Sequence, residues 1–304
     1  MQIIKDSDVA RLLDYRSVVS TLERAFSDLA QGRAAIHARQ RTDCASHKLS
    51  TMGALWHSES IAGVKVYPTV NGEFSFAVLL FDLSTNAPVA LVDGNELTRL
   101  RTSAMTAMVV PRLFAGHARK LALFGAGLQG RSQAEALAEQ MPFEEIAIVD
   151  PVPQAEWCAR LAERTGARVA PTTAELAVRD ADVVITATRS SRPVFDGEWL
   201  RPGALVAAIG TSSPKGRELD DLTMQRAARV VVEWKPQSLH EAGEIVLWHG
   251  RHDVDRFVDL PQLFSDERPW HVADDHITVF KSVGVGLSDV AAAWLAHRRT
   301  GAGR

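Results

Sequence analysis

The amino-acid sequence predicts an α/β fold class: a doubly wound parallel sheet over residues 117–286, beside a smaller α+β domain over residues 1–116 that the C-terminal helix, 287–304, completes. Three observations predict it. From Lys120 onward, short apolar β-branched runs alternate with helical stretches, the pattern of a parallel sheet covered on both faces. The first of those runs ends in a glycine-rich turn, Gly125-Ala-Gly127-Leu-Gln-Gly130, just where the next helix begins. The first third instead carries a hairpin signal, and 304 residues suffice for two domains.

In chain order, Val18, Val19, Leu22, Ala25, Phe26 and Leu29 fall on one side of a helix that Asp14 precedes and Gly32 stops. Gly63–Tyr67 and Phe76–Asp82 read as strands joined through the turn signal Asn71-Gly72. Pro88–Asp93 reads as a further strand, followed by a helix from about Glu96 to Val110. Beyond Lys120 come the strand Leu121–Phe124, a helix from Gln129 to Met141 and the strand Glu145–Val149. Asp182–Thr186, Ala204–Ile209 and Arg229–Val232 are apolar strands, and Leu287–Arg298 is a helix long enough to return to the first domain.

The glycine run gains meaning from its place between a strand and a helix, which is where a Rossmann-type dinucleotide site requires it. Gly125 permits the tight turn, Gly127 leaves room for a pyrophosphate, and Gly130 lets the helix approach the sheet; Leu128 and Gln129 complete the turn. Backbone N–H groups at the helix N-terminus then bind phosphate. Asp150 ends the second strand, about 20 residues on, where an acid meets the adenosine ribose hydroxyls. Pro151-Val152-Pro153 follows without an arginine to neutralise a 2′-phosphate, so NAD(H) is favoured over NADP(H). Thr186-Ala187-Thr188 ends a later strand and either borders the ribose and nicotinamide or forms a plain turn.

Composition excludes several classes. A formal net charge of -3 draws the chain to neither nucleic acid nor acidic membranes. The tryptophans carry no interleaved basic residues, and no apolar stretch reaches membrane-spanning length. The first residues lack the apolar core of a signal peptide, so a cytoplasmic location is expected. Cys44 and Cys158 form no disulfide framework. Among the ten histidines, His249 and His252 have helical spacing but no completing acid or cysteine, so no metal is expected.

The ordered series Met52, Gly63-Val-Lys65-Val, Thr98-Arg-Leu-Arg101-Thr-Ser-Ala-Met-Thr-Ala, Gly125–Gly130, Gly210-Thr-Ser-Ser-Pro, Arg217-Glu-Leu-Asp220 and Lys281-Ser-Val-Gly284-Val-Gly-Leu-Ser-Asp289 resembles the ornithine cyclodeaminase/μ-crystallin family. The resemblance covers nearly the whole chain. It implies a homodimer associated through the non-Rossmann domain, an active site in a cleft between the domains, and a substrate carboxylate held by Arg41, Lys65 and Arg101. Arg39 is a near neighbour of Arg41 in the same loop. The resemblance also implies that Thr102 lies near the cofactor phosphates and that Lys281, Ser282 and Gly284 approach the nicotinamide; the glycines otherwise let the chain leave the Rossmann domain. Arginine forks and a lysine ammonium suit a small α-amino or α-imino acid.

The cyclodeaminases of the family carry an aspartate where alignment places Ser212, and a glutamate where it places Met52. A serine hydroxyl cannot replace a carboxylate base near neutral pH. The resemblance therefore implies a reductase of a small cyclic α-imino acid, of pyrroline-2-carboxylate or piperideine-2-carboxylate type, in which hydride reaches the C=N carbon. Lys65, with a lowered pKa, or a water held by Ser212 supplies the proton. Alanine dehydrogenase-like and ornithine cyclodeaminase activities are the alternatives, together with a non-catalytic NAD(H)-dependent small-ligand binder.

Overall fold

The computed structural model describes residues 1–301 apart from Ala115, Pro153, 251–252, 266–269, Val272 and Asp274, and apart from the side chain of Val254. Pro153, His252 and 302–304, which the sequence reading invoked, lie outside the described residues. The chain forms two compact units. The first holds residues 1–105, Phe264 and Ser265, and the chain from Gly284 onward; the second holds residues 106–263 and the stretch ending at Val283.

The described strands of the first unit are β1 (Gln2–Ile4), β2 (Ala34–Cys44), β3 (His47–Trp56), β4 (Ile61–Val70), β5 (Glu73–Phe74), β6 (Ala77–Asp82) and β7 (Ala87–Asp93). They form one sheet in the order β1-β7-β6-β4-β3-β2, with β5 beside β4; only the β1–β7 pair is parallel. Asn71 and Gly72, at φ 51° and 78°, turn the chain between β4 and β5, and positive φ at both central residues suits a hairpin turn. The expected pairing of 63–67 with 76–82 is the antiparallel β4–β6 ladder. The long strands β2 and β3 were not anticipated. Residues His37–Asp43 read as polar because the strand alternates between half-buried and exposed positions along most of its length.

Helix α1 spans Asp6–Leu12 and α2 spans Tyr15–Ala30. Asp14 caps α2 by accepting the Ser17 N–H at 2.8 Å. Val18, Leu22 and Phe26 lie four apart on its inner face and are fully buried, each contributing about 1.5–3 kcal/mol. Helix α3 spans Gly94–Leu113, and the division into compact units falls within it, between Met105 and Thr106. The C-terminal helix, Gly286–Arg299, packs on α2, β3 and β4. It rides close to the sheet: a Cβ on Gly63 would lie 2.9 Å from Val290 Cγ2, and one on Gly286 would lie 2.3 Å from the Gly53 carbonyl oxygen. That close approach carries Asp289 down to β4.

The second unit contains β8 (Lys120–Phe124), β9 (Glu145–Val149), β10 (Arg168–Pro171), β11 (Val183–Thr186), β12 (Leu205–Ala208), β13 (Ala227–Val232), β14 (Phe257–Asp259) and β15 (Ile277–Lys281). All pairs are parallel, in the order β10-β9-β8-β11-β12-β15-β13-β14. β11, β12 and β15 are buried along their whole length, as continuous apolar runs in a parallel sheet should be. The expected Rossmann-type doubly wound sheet is therefore present. From β8 the chain winds one way to β9 and β10 and the other way to β11 and β12, so the order reverses between β8 and β11. In open α/β sheets, ligands bind beyond the carboxyl ends of strands at such a reversal.

Candidate active site

On the second unit, the loops after β8 and β11 meet at this reversal. Gly125 sits at φ 87°, and a Cβ there would lie 2.7 Å from the Ala187 carbonyl oxygen. Gly130 opens onto the turn itself, where a Cβ would lie 1.7 Å from the Gly125 carbonyl oxygen. A Cβ on Gly127 would meet no atom within 4 Å. Gly127 is also the N-cap of α4 (Leu128–Ala138), so the open side of the turn coincides with the positive end of a helix. Asp150 follows β9 and accepts the Ala126 N–H at 2.6 Å and the Val152 N–H at 2.8 Å, which ties the acid to the glycine turn. An open glycine, a helix N-terminus and an adjacent carboxylate fit the pyrophosphate and ribose of a dinucleotide.

Behind this edge lies a set of buried carboxylates to which the sequence reading gave no role. Glu218, fully buried, accepts from Thr186 Oγ1 at 2.9 Å, Thr188 N–H and Oγ1 at 2.7 Å each, and Gly210 N–H at 2.8 Å. Its own N–H donates to Glu244 at 2.9 Å, and Glu244 pairs with the Lys281 ammonium at 3.0 Å. Lys281 also donates to the Thr211 carbonyl at 2.8 Å, next to Ser212, which is half-buried in the loop after β12. Ser282 donates to Glu233 at 2.9 Å. The hydroxyls of Thr186 and Thr188 and the side chains of Lys281 and Ser282 are thus bonded to buried acids. They brace the loops through which a dinucleotide is held.

The first unit gathers the charges. Lys65 lies on β4, opposite Met52 on β3 and Val78 on β6, in the middle of the sheet. Only 1% of it is exposed. Its Nζ donates to Thr98 Oγ1 at 2.6 Å and to Asp289 Oδ1 at 2.9 Å, and it stands 4.2 Å above the Phe76 ring. The same Asp289 oxygen accepts from Arg101 Nε at 3.0 Å. Arg39 donates to the Gly284 carbonyl at 3.0 Å. Gly284, at φ 76°, lies against both guanidinium groups: a Cβ there would be 3.0 Å from Arg101 Nη1 and 3.4 Å from Arg39 Nη2. Gly284 therefore lies in the cationic cluster of the first unit. Arg41, the arginine singled out from the sequence, is half-buried two residues along β2, opposite Ser50. It is the nearby Arg39 whose charge acts on Lys65 and Asp289. Thr102 is buried on α3 beside Arg101.

Burial pushes the Lys65 ammonium from the ordinary lysine range down to about 7; Asp289 resists that fall, while Arg101 and Arg39 add to it. Burial pulls Asp289 the other way, but Arg101 and Lys65 outweigh it and hold the carboxyl below the usual aspartate range. Its place in the first turn of the C-terminal helix also favours the charged form. The cluster is a buried group of cations around one carboxylate, with Lys65 brought near neutrality by burial. Met52, 1% exposed, stands opposite Lys65 on β3 and adds no charge to it.

With this geometry, the profile of the ornithine cyclodeaminase/mu-crystallin family matches residues 1–303. The chain belongs to that family. A ketimine reductase mu-crystallin of Mus musculus is 34% identical over 228 residues, or 75% of this chain and 70% of the relative. A probable ornithine cyclodeaminase from Bordetella pertussis Tohama I superposes with a TM-score of 0.95 at 40% identity, covering 100% of this chain and 98% of the other. The Delta(1)-pyrroline-2-carboxylate reductase of Thermococcus litoralis, solved in complex with NADH and L-proline, gives a TM-score of 0.92 at 26% identity, covering 99% and 97%. Among the described residues, no group of histidine, cysteine, aspartate and glutamate could hold a metal, and no helix is long and apolar enough to cross a membrane.

Proposed function

We propose that the protein is a cytoplasmic NADH-dependent reductase of a small cyclic α-imino acid of pyrroline-2-carboxylate or piperideine-2-carboxylate type. The observation that carries the reading is Lys65: a fully buried ammonium that loses its proton near neutral pH, set among guanidinium groups suited to a carboxylate. The relatives named above include an imino acid reductase and a ketimine reductase, which agrees with it.

In this reading Arg101, Lys65 and an arginine of β2 hold the substrate carboxylate, and the fixed fork of a guanidinium sets the plane of the ring. Reduced nicotinamide, when bound at the glycine turn, supplies the hydride for the C=N carbon. Lys65 gives its proton to the imine nitrogen, so the two electrons and the proton together convert imine to amine. Met52 and Ser212 stand where a cyclodeaminase has acids, which disfavours cyclising deamination even though one structural relative is described as a probable cyclodeaminase. The carboxylate of Asp150 repels a 2′-phosphate, hence NADH over NADPH. Leu49 and Leu55, each 49% exposed on β3, support association of two copies through the first unit's sheet.

The deciding assay follows NADH consumption with pyrroline-2-carboxylate, piperideine-2-carboxylate, pyruvate plus ammonia, and ornithine with NAD. Turnover confined to one of the cyclic imines is expected; turnover of pyruvate plus ammonia alone, or release of ammonia from ornithine, overturns the reading. The pH profile carries a sign. Reduction needs Lys65 protonated, so kcat should fall as pH rises through about 7, and a kcat that climbs across that range contradicts the assignment. For the cofactor, Asp150→Ser should narrow the NADH-over-NADPH ratio of kcat/KM by about tenfold or more, the repulsion having gone. An unchanged ratio in steady-state assays removes Asp150 from cofactor choice.

A further inference from the structure

Asp289 reaches the cluster from a different element than any cation it meets. Lys65 comes from β4, Arg101 from α3 and Arg39 from β2, whereas Asp289 stands in the first turn of the C-terminal helix. Its side chain is fully buried, and one oxygen, Oδ1, receives both Lys65 Nζ at 2.9 Å and Arg101 Nε at 3.0 Å. The other oxygen, Oδ2, is buried without a hydrogen-bond partner among the described residues. A buried carboxylate ordinarily spreads its charge over several donors. Here both donors converge on Oδ1, so one oxygen fixes the two cations relative to each other.

We propose that Asp289 is a positioning residue for the reaction: through Oδ1 it aims the Lys65 ammonium and the Arg101 guanidinium, and it keeps the proton on Lys65 available to the imine nitrogen. The charged groups that face Lys65 are Asp289, Arg101 and Arg39; around them stand the Thr98 hydroxyl and the Phe76 and Tyr67 rings. Of these, only Asp289 is negative. The two guanidiniums and the burial all drive the proton off Lys65, and the negative charge of Asp289 opposes them. Geometry gives the second half of the role. A lysine stem on a β-strand has several rotamers, and the Thr98–Asp289 pair selects the one that holds Nζ over Phe76. Asp289 does not itself touch the reacting atoms, so its effect passes through Lys65.

This inference rests on Lys65 as proton donor, and the test separates the two. The kcat–pH profile of imine reduction is measured for the wild-type chain, Asp289→Asn and Arg101→Gln, with thermal denaturation run alongside to check folding. In Asp289→Asn the alkaline limb should move down by about one pH unit or more, because an opposite charge at this distance has been removed. Activity should then recover toward the wild-type level at the acid end, since Lys65 is reprotonated there. Arg101→Gln should move the limb upward, since a repelling charge is lost while Asp289 remains; kcat/KM falls in that variant, but the position of the limb is the readout. If Asp289→Asn does not fold, Asp289→Glu decides: a displaced carboxylate should move the alkaline limb and lower kcat, and a wild-type profile overturns the proposal. A uniform loss of activity at all pH values, with the limb unmoved in both variants, overturns the proposal. Should Lys65→Ala retain turnover, the donor assignment itself fails; should Lys65→Ala be inactive while neither limb moves, only the role of Asp289 fails.

Discussion

Lys65→Ala should lower kcat for the cyclic imine by about 10²–10⁴-fold while leaving the Kd for NADH within about twofold of the wild-type value. The reasoning is local. Lys65 sits at the centre of the first unit's sheet, and among the described residues its ammonium meets Thr98, Asp289 and aromatic rings of that same unit. Removing it takes away the proton and one carboxylate partner together. It also leaves Asp289 held by Arg101 alone, so Tm should fall modestly; a buried charge that keeps one partner is less costly than one that loses both. Stopped-flow turnover with NADH fluorescence titration checks both halves. Full activity in the variant excludes Lys65 as donor, and a parallel loss of NADH binding shows that the lysine serves the fold instead.

The second large effect separates two glycines of one motif. Gly127→Ala should weaken NADH binding by about tenfold or more without changing Tm, because its Cβ would project into open space at the N-terminus of α4. Gly130→Ala should do the reverse in order of cause. Its Cβ would fall 1.7 Å from the Gly125 carbonyl oxygen, a contact that only backbone movement relieves, so Tm should drop by the equivalent of about 1–3 kcal/mol and NADH binding should be lost with the turn. Calorimetry and fluorescence titration on the pair distinguish these outcomes. Equal destabilisation by both substitutions is the result that contradicts the division of labour.

Much of this was legible beforehand because it rests on local rules. The continuous apolar runs and glycine turn of the second unit announce a parallel sheet, and Asn71-Gly72 announces a hairpin, through preferences that short segments carry by themselves. Residues 34–44 were not legible, since β2 presents mostly polar and charged side chains on its outer positions and mimics a loop. The carboxylates were quoted within motifs but had no role, because burial of Glu218 and Asp289 is a tertiary property. One signal was available: Asp289 interrupts Gly286-Leu-Ser-Asp289-Val-Ala-Ala-Ala, a run otherwise small and apolar, and an acid in a buried helical stretch requires a cation. Arg39 and Arg41 could not be ranked from sequence, because their separation by two residues puts both on one side of an ideal strand, and register shifts interrupt β2 between His37 and Gln40.

The arrangement around Glu218 bears on how the second unit meets its ligand. One carboxylate draws together the chain ends that leave β11 and β12, and Glu244 with Lys281 locks the segment that bears it. The rim of the sheet is thus assembled when the chain folds, before any nucleotide arrives, and little ordering remains for binding to accomplish. Affinity there depends on a rigidity that is also a large share of the local stability. Substitutions that loosen this acid should therefore first be seen as weak cofactor retention in an otherwise folded chain.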